Sequence, residues 1–462
     1  MAASPRRFHV LEATAGVTLS RMVLGTDNRV FALAMARLAD SLGNSFLVIV
    51  LPLYIASGEV SLAGLEGFST ELLIGVVLSL FGLLNSSLQQ FTGRASDRAG
   101  KRKVFILGGL VVFGVASALY PFVSSYWGIV GLRAFQGIGA ALTVPVTIAL
   151  VNEYSADASQ RGGNFGVFNT FRLIGFGFGP IIAGILITGG FSSNEVVTYQ
   201  VAGAAVSGFD AAFMVAVAGA LVSFALVSYL VDDPETGDAA ATDDLSVAIF
   251  GRDQLFDPVF VVGVGTFFMA TGIAIYATLQ EVVNTALGQG PFLFSVQFAA
   301  VVIANVLFQV PIGRASDTYG RRPFLVVGFA LLVPSVLAQG YVPAAQSLLP
   351  ATVFDVNAAA LLMILLRLLQ GISVAMVFAP GLALAGDLAR RGQSGTTLSV
   401  LTTAFGFGVA LGPLAAGYLI RFGFAVPFAF VAVLAALAFI LTYSQVYETA
   451  FLAEDAGRPS AD

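Results

Sequence analysis

The hydrophobic residues of this chain lie in long continuous runs, and short polar segments separate one run from the next. A run of about 20 apolar residues is long enough for an α-helix to cross the ~30 Å hydrocarbon core of a bilayer. Strands of a membrane barrel would instead show short stretches of alternating apolar and polar residues. The pattern therefore predicts an all-α integral membrane protein with twelve transmembrane helices. These cover residues 31–55, 71–92, 104–123, 127–151, 164–190, 209–231, 259–285, 292–312, 324–342, 358–385, 396–420 and 424–446.

The composition agrees with a membrane location. Of the 462 residues, 57% are hydrophobic and 11% are charged, whereas a soluble domain is about a quarter charged. There is no cysteine, and His9 is the only histidine, which excludes disulfides and a His/Cys metal cluster. We therefore expect no metal and no cofactor. No basic segment suited to nucleic acid is present, so the expected partners are the lipid bilayer and a small molecule.

Lysine and arginine residues are distributed unevenly between the two sides of the predicted bundle. Outside the spans, Arg421 is alone on one side, and all the others fall on the side of the two termini. Cytoplasmic loops of membrane proteins carry an excess of Lys and Arg. Both termini are therefore expected in the cytoplasm, in a multi-pass protein of the cell membrane.

An acidic segment divides the chain into two sets of six helices. Residues 232–257 are rich in Asp and Glu and contain Arg252 as their only basic residue, so we expect a polar linker there. The predicted organisation is an N-terminal tail (1–29), a six-helix bundle (30–231), the linker (232–257), a second six-helix bundle (258–446) and a C-terminal tail (447–462).

Three short motifs occur once in each half, in the same order. The sequence GRASD occupies residues 93–97 and again 313–317, after the second helix of each half. An R-x-x-Q-G motif and a glycine run that ends in Gly-Pro also recur. Their copies begin at Arg133 and Arg367, and at Gly175 and Gly408. Two related six-helix units are typical of secondary transporters.

With these motifs the chain resembles the major facilitator superfamily from about Arg29 to Tyr447, and within it the drug:proton antiporter branch. The most specific sign is the loop G-x-x-x-D-x-x-G-[R/K]-[R/K], which is present in both halves. The resemblance implies two bundles that rock about a central site and open it to each side in turn. We expect a monomeric carrier with protons as its coupling ion.

The repeated loop has two interpretations. Gly93 and Gly313 can end a helix sharply, because glycine accepts the left-handed conformation. By resemblance, Asp97 latches toward the start of the eleventh helix and closes the cytoplasmic side, and Asp317 is its counterpart near the start of the fifth. Alternatively, the loops only set the topology, and the second copy has Thr318 where the first has an arginine. The gating candidates are Gly93, Arg94, Asp97, Arg98, Gly100, Lys101, Arg102, Gly313, Arg314, Asp317, Gly320, Arg321 and Arg322.

Ionisable residues inside membrane helices are costly unless they are paired or face water. In the first helix, Arg37, Asp40 and Asn44 are three or four residues apart and share one face. Asp40 has three candidate partners, Arg37, Arg133 and Arg172. Two interpretations stay open: a static ion pair that fixes helix packing, or a carboxylate whose proton is exchanged as access changes.

Polar residues also interrupt the apolar helices of the second half. Tyr276, Gln280 and Glu281 form a patch toward the outer end of the seventh helix, and Arg367 and Gln370 mark the tenth. Glu281 is the weaker candidate proton carrier, because it can reach water outside. The predicted proton-coupling and cavity residues are Asp40, Asn44, Arg133, Gln136, Arg172, Tyr276, Gln280, Glu281, Arg367 and Gln370.

Glycines in the fifth and eleventh helices allow a neighbouring helix to approach closely, and a proline interrupts the hydrogen-bond ladder of its helix. In the family that the chain resembles, such a run is associated with exporters. The predicted helix-packing residues are Gly175, Gly177, Gly179, Pro180, Gly408, Gly412 and Pro413.

The predicted function is secondary active transport of a small molecule, most readily proton-coupled efflux of hydrophobic or amphipathic compounds. Uptake of a sugar or organic acid by a symporter or facilitator stays open, as does a transporter-like membrane sensor. An ATPase is not expected, because Ala95 and Arg102 stand where a phosphate-binding loop needs glycine and a hydroxyl residue. No H-E-x-x-H, G-x-S-x-G or G-x-G-D motif is present, so no enzyme is expected.

Overall fold

The computed structural model describes residues 22–23, 26–154, 158–190, 195–201, 203–233, 249–250, 255–388 and 394–447. Within these ranges, twelve helices are long and apolar enough to cross a membrane, which confirms the predicted all-α membrane architecture. They are α1 (Asn28–Ala56), α2 (Thr70–Ala99), α3 (Arg102–Leu119), α4 (Tyr126–Glu153), α5 (Ala158–Thr188), α6 (Gly208–Leu230), α7 (Pro258–Thr278), α9 (Pro291–Tyr319), α10 (Arg321–Gln339), α12 (Ala358–Leu388), α13 (Ser394–Leu419) and α14 (Ala425–Gln445).

Short elements precede α1 or connect some of the later helices. They are the helices α8 (Gln280–Leu287) and α11 (Val342–Ala345), and the antiparallel pairs β1 (Met22–Val23) with β2 (Thr26–Asp27), β3 (Thr198–Val201) with β4 (Ala204–Ser207) and β5 (Thr352–Val353) with β6 (Val356–Asn357). We call the end of the bundle that carries residues 93–103 and 313–323 the basic end. The other end, where α8 and the last two strand pairs lie, is the opposite end.

The repeated GRASD segments are helical, which corrects the predicted helix ends. Helix α2 continues through Gly93 to Ala99, and α9 continues through Gly313 to Tyr319. The helices stop at Gly100 and Gly320, whose φ angles are +60° and +91°, a range that glycine adopts without steric cost. A glycine inside a helix costs only ~0.5–1 kcal/mol relative to alanine, so Gly93 and Gly313 do not end their helices.

The seventh apolar run is also not a single helix, contrary to the predicted span 259–285. Helix α7 ends at Thr278, and the separate helix α8 begins at Gln280. Leu279 makes the break with φ −89° and ψ 13°, a bridge conformation that non-glycine residues can adopt. Because no glycine or proline is needed there, the hydrophobic pattern contains no signal for the break.

The two halves pack their helices in the same way. Helix α1 packs against α5 and α6, and α7 packs correspondingly against α13 and α14. Helix α4 packs against α2 and α3, and α12 packs against α9 and α10. Residues at matching places in the two halves can therefore be compared directly.

The halves meet along α2 with α13 and along α5 with α9. A Cβ atom at Gly75 would lie 2.5 Å from the carbonyl oxygen of Pro413, and one at Gly184 would lie 2.6 Å from the hydroxyl of Ser295. Both contacts are in the part of the bundle near the opposite end. Near the basic end, a Cβ atom at Gly93 would meet only Pro145 of its own half, at 3.9 Å.

Helix α5 shows where the halves separate. Gly177 faces α9, because a Cβ atom there would lie 3.7 Å from Val302. Thr170 is on the same helical face, seven residues nearer the basic end, and it is exposed. The interface is thus tight near the opposite end and open toward the basic end in this conformation.

Candidate functional site

Asp40 lies near the middle of α1 and is paired with Arg37. The Nη1 atom of Arg37 donates to Oδ2 of Asp40 at 2.6 Å, and each side chain is 14% exposed. Of the three candidate partners, Arg37 is the one that binds Asp40 in this structure. The pair lines a small cavity between α1, α3, α4 and α6, together with the hydroxyl residues Thr143, Thr147 and Ser223. The cavity lies inside the N-terminal half and not between the halves.

Two other candidates, Asn44 and Arg172, form no hydrogen bond or ion pair with this pair in the described residues. Asn44 has its Oδ1 atom buried without a hydrogen-bond partner among the described residues. Arg172 on α5 donates its Nε–H to Asn169 Oδ1 at 3.0 Å. It forms no ion pair within the described part of the chain. Asn44, one helical turn from Asp40, thus has an unused hydrogen-bond acceptor.

Arg133 lies on α4 and is only 2% exposed. Its Nη1 atom donates to Gln136 Oε1 at 3.0 Å, and its guanidinium lies 4.3 Å from the centroid of the Phe81 ring. Gln136 also accepts from the hydroxyl of Tyr120 at 3.0 Å and donates to that of Ser117 at 2.9 Å. The glutamine of the motif therefore ties the arginine to α3.

Arg367 occupies the matching place on α12 and is 1% exposed. Its Nη1 atom donates to Gln370 Oε1 at 2.8 Å, its Nε–H donates to the carbonyl of Gln297 at 3.2 Å, and its guanidinium lies 4.1 Å from the centroid of the Tyr276 ring. Gln370 also accepts from Gln339 Nε2 on α10 at 3.1 Å. The two R-x-x-Q-G motifs thus build the same arrangement, an arginine beside an aromatic ring and a glutamine shared with a neighbouring helix.

Amide side chains extend the C-terminal arrangement toward the opposite end. Gln297 accepts from the hydroxyl of Tyr276 at 2.7 Å and exchanges two hydrogen bonds of 2.8 Å with Gln289. Gln280 is fully buried, yet neither polar atom of its side chain has a partner in the described chain. Glu281 is exposed. Tyr276 and Gln297 therefore connect Arg367 to Gln289, and the acid that follows Gln280 faces outward.

Two matched ion-pair clusters lie at the basic end. In each, an arginine at the start of the third helix of its half joins acids at the ends of the second and fourth helices. The clusters are Arg102 with Asp97 (2.6 Å) and Glu153, and Arg321 with Asp317 and Asp387 (3.3 Å). Asp97 and Asp317 are therefore paired within their own halves in this conformation.

The predicted latch contacts fall partly outside the described residues. The side chains of residues 394–399 at the start of α13 and of 158–162 at the start of α5 are not described. Arg94, Arg98, Lys101 and Arg314 are exposed at the basic end. Arg322 donates to the carbonyl of Tyr443 at 2.7 Å.

The predicted packing glycines lie where helices of one half touch. A Cβ atom at Gly175 would lie 2.6 Å from the carbonyl of Leu38 on α1, and one at Gly408 would lie 2.4 Å from that of Phe267 on α7. Gly179 packs on α1 and Gly412 on α7 in the same way, whereas Gly177 faces α9. Helices α5 and α13 run unbroken through Pro180 and Pro413.

Several residues of these clusters were missed in the sequence. Ser117, Tyr120 and Gln339 contact the motif glutamines from a neighbouring helix, and Gln339 was visible as an amide within an apolar run. Glu153 and Asp387 follow their motif arginines at the same distance along the chain. That repeated spacing was an available signal for both acids.

Twelve helices long and apolar enough to span a membrane, in two matched halves, form an architecture that is typical of secondary transporters. A family model described as the Major Facilitator Superfamily matches residues 17–296 and 262–450. The chain belongs to this family of secondary transporters, which are not enzymes. A small-molecule substrate and a membrane environment follow from that membership.

Similar proteins agree with this assignment. An uncharacterised MFS-type transporter of Methanocaldococcus jannaschii is 24% identical over 91% of this chain and 98% of its own. The quinolone resistance protein NorA of Staphylococcus aureus is 23% identical over 68% of this chain and 75% of its own. The multidrug efflux pump LfrA of Mycolicibacterium smegmatis is 30% identical, over 34% of this chain and 29% of its own length.

Solved structures share the fold. A bacterial homologue of the human lysosomal transporter Spinster, in an inward-facing and occupied conformation, superposes with a TM-score of 0.68 and 14% identity over 94% of this chain and 98% of that chain. The nucleoside transporter NupG gives a TM-score of 0.63 and 13% identity over 92% and 99%. At these identities the likeness concerns the fold alone.

Proposed function

We propose that this transporter is a proton-coupled exporter of hydrophobic or amphipathic small molecules. In this proposal it lies in the cell membrane, with its basic end and both termini in the cytoplasm. The observation that carries the proposal is the Asp40–Arg37 pair inside α1. The relatives named for quinolone resistance and multidrug efflux support export, although LfrA matches over less than a third of its length.

Depth in the membrane distinguishes Asp40 from the other acids of the described spanning helices. Those acids lie within the first or last turns of their helices, and Asp40 lies near the middle of α1. They are Glu71, Asp97, Glu153, Asp210, Asp317 and Asp387. A carboxylate in a low dielectric favours its neutral form, whereas an adjacent guanidinium favours the charged form. A movement that breaks and restores the contact between Arg37 and Asp40 would therefore bind and release a proton.

Replacing Asp40 tests this role. Asp40→Asn keeps the shape of the side chain but cannot ionise, so we expect it to abolish transport driven by a pH gradient and to leave downhill substrate exchange. The measurement is uptake of a panel of hydrophobic dyes into inverted vesicles, with and without an imposed gradient, and release from right-side-out vesicles as the test of direction. Glu59→Gln, an acid exposed in a loop, is the control. An Asp40→Asn protein that still accumulates dye with unchanged pH dependence would exclude Asp40.

A double variant separates proton coupling from a static ion pair. Asp40→Asn alone leaves the partly buried Arg37 without its carboxylate, which is strongly destabilising in a buried pair. The variant Asp40→Asn with Arg37→Gln removes both charges. If the pair is only structural, the double variant should regain both folding and gradient-driven transport. If Asp40 carries the proton, the double variant should fold and still fail to couple transport to the gradient.

A further inference from the structure

Arg367 is a buried cation in a half of the molecule that offers it no acid at comparable depth. In the described residues of α7, α9, α10, α12, α13 and α14, the acids are Asp317 and Asp387, both in last turns at the basic end. An arginine stays charged at any pH that the protein meets. Burying a charge without a counter-charge is costly, so the environment of Arg367 is incomplete as it stands.

The groups around Arg367 hold its guanidinium in place but do not neutralise it. Two of its nitrogens donate to neutral oxygens, at Gln370 and at the carbonyl of Gln297. The rings of Tyr276 and Phe298 have their centroids at 4.1 and 6.0 Å. Its Nη2 atom has no partner in the part of the chain that the structure describes. Both N–H groups of Nη2 are therefore available to an acceptor.

A second observation in the same half also indicates an absent polar ligand. Both polar atoms of the fully buried Gln280 lack a partner among the described residues, and so do Oε1 of Gln339 and the hydroxyl of Ser373. Buried polar side chains nearly always have a partner. In the N-terminal half an acid, Asp40, does lie deep in the membrane, and it pairs with Arg37.

We propose that Arg367 binds the oxyanion head group, a carboxylate or a sulfonate, of an amphipathic substrate. The proposal rests on the function proposed above and specifies the charge of the exported compound. The oxyanion accepts from Nη2 and supplies the missing negative charge, and the rings of Tyr276 and Phe298 offer an aromatic surface to the apolar part. Because Arg367 is 1% exposed, access requires movement of its cover. The chain break at Leu279, three residues after Tyr276, is a place where α7 can move.

Three naphthalene compounds that differ only in their polar group provide the test. We would measure the binding of 2-naphthoate, 2-naphthamide and 2-naphthylmethyl-trimethylammonium to the purified full-length protein in phosphatidylcholine nanodiscs. The wild type should bind the carboxylate at least about tenfold more tightly than the ammonium compound, the scale expected for one charge-assisted hydrogen bond. Arg367→Gln should lose about tenfold or more for naphthoate and change naphthamide binding by less than about twofold. Arg367→Lys should keep part of the preference, because it keeps the charge and loses the planar fork.

A matched control and three outcomes decide the question. Arg421→Gln removes one arginine at the opposite end, where it stacks on Tyr418, and should leave all three affinities unchanged. Equal or tighter binding of the ammonium compound would overturn the proposal, as would an absence of naphthoate binding. An Arg367→Gln protein that keeps its naphthoate affinity would do the same. The binding measurement needs no pH gradient. A protein that binds naphthoate but shows no proton-driven export would therefore contradict the proposed export function and leave the proposed anion site at Arg367 standing.

Discussion

Arg102 and Arg321 each form ion pairs with two acids. One of the two acids can therefore change partner while the other stays bound to the arginine. Asp97 is 43% exposed, whereas Arg102 is 11% exposed and is also bound by Glu153. Asp97 can therefore leave Arg102 without stranding a buried cation. Exposed ion pairs contribute only ~0–1 kcal/mol, so such an exchange costs little. This is what a latch residue needs if Asp97 binds the start of α13 when the basic end closes.

Removing the charge of Asp97 should weaken closure of the basic end. The Asp97→Asn side chain carries no charge and so cannot form an ion pair with the other half. Arg102 keeps its ion pair with Glu153, so the fold should survive. We expect a cysteine at the exposed Thr170 on α5 to react faster with a maleimide supplied at the basic end, and transport to slow. Asp317→Asn should have a smaller effect, because Thr318 leaves its loop without the arginine of the first copy. Unchanged labelling and unchanged transport in Asp97→Asn would contradict the latch.

At the scale of helices, small residues determine how closely the two halves approach. A Cβ atom at Gly82 of α2 would lie 2.8 Å from Cα of Ala410 on α13, and one at Gly417 of α13 would lie 2.3 Å from the carbonyl of Glu71. Contacts this short leave no room for a side chain. Membrane helices associate through such close packing, because lipid gives them no hydrophobic driving force.

A large side chain at this interface should hold the halves apart. Gly82→Leu is expected to lower the free energy of unfolding by ~1–3 kcal/mol, as overpacking does, and to increase labelling of cysteines near the opposite end. Thermal unfolding and maleimide labelling would measure the two effects. Gly108→Leu on α3 is the matched control, since no atom lies within 4 Å of a Cβ atom there. Equal behaviour of the two variants would show that the α2–α13 contact does not limit closure.

The helices were predictable from the sequence, but several of their ends were not. Continuous hydrophobicity is enough to indicate a spanning segment, and all twelve spans are present. The signal fails where a boundary depends on one dihedral angle, as at Leu279, or where a glycine stays helical, as at Gly93. The spacing of Arg133 and Gln136 predicts that they share a face, and they do bond. The contact of Gln136 with Tyr120 depends on how α3 and α4 pack, which the pattern does not encode.

At the scale of the whole molecule, the alternating access that we propose requires more than one arrangement of the two halves. The halves touch near the opposite end, and Thr170 is exposed toward the basic end. Exchange of access requires the α2–α13 and α5–α9 contacts to open at one end as they close at the other. Helices α1 and α4 pack against the other helices of the N-terminal half, and α7 and α12 pack in the matching way within the C-terminal half. Each half is therefore a unit that can move as one body. The sequence repeats predicted two such units, and the direction of opening came only from the packing.

The orientation of this molecule in the membrane can be determined by cysteine labelling, since the chain has no native cysteine. If the excess of Lys and Arg sets the orientation, the basic end faces the cytoplasm. Ala95→Cys, at the exposed basic end, should then react with a membrane-impermeant maleimide only in inverted vesicles. Leu348→Cys, 86% exposed at the opposite end, should react in intact cells. Ala95 suits the test better than its neighbour Ser96, which is 0% exposed. Labelling of Ala95→Cys from outside intact cells would reverse the proposed orientation.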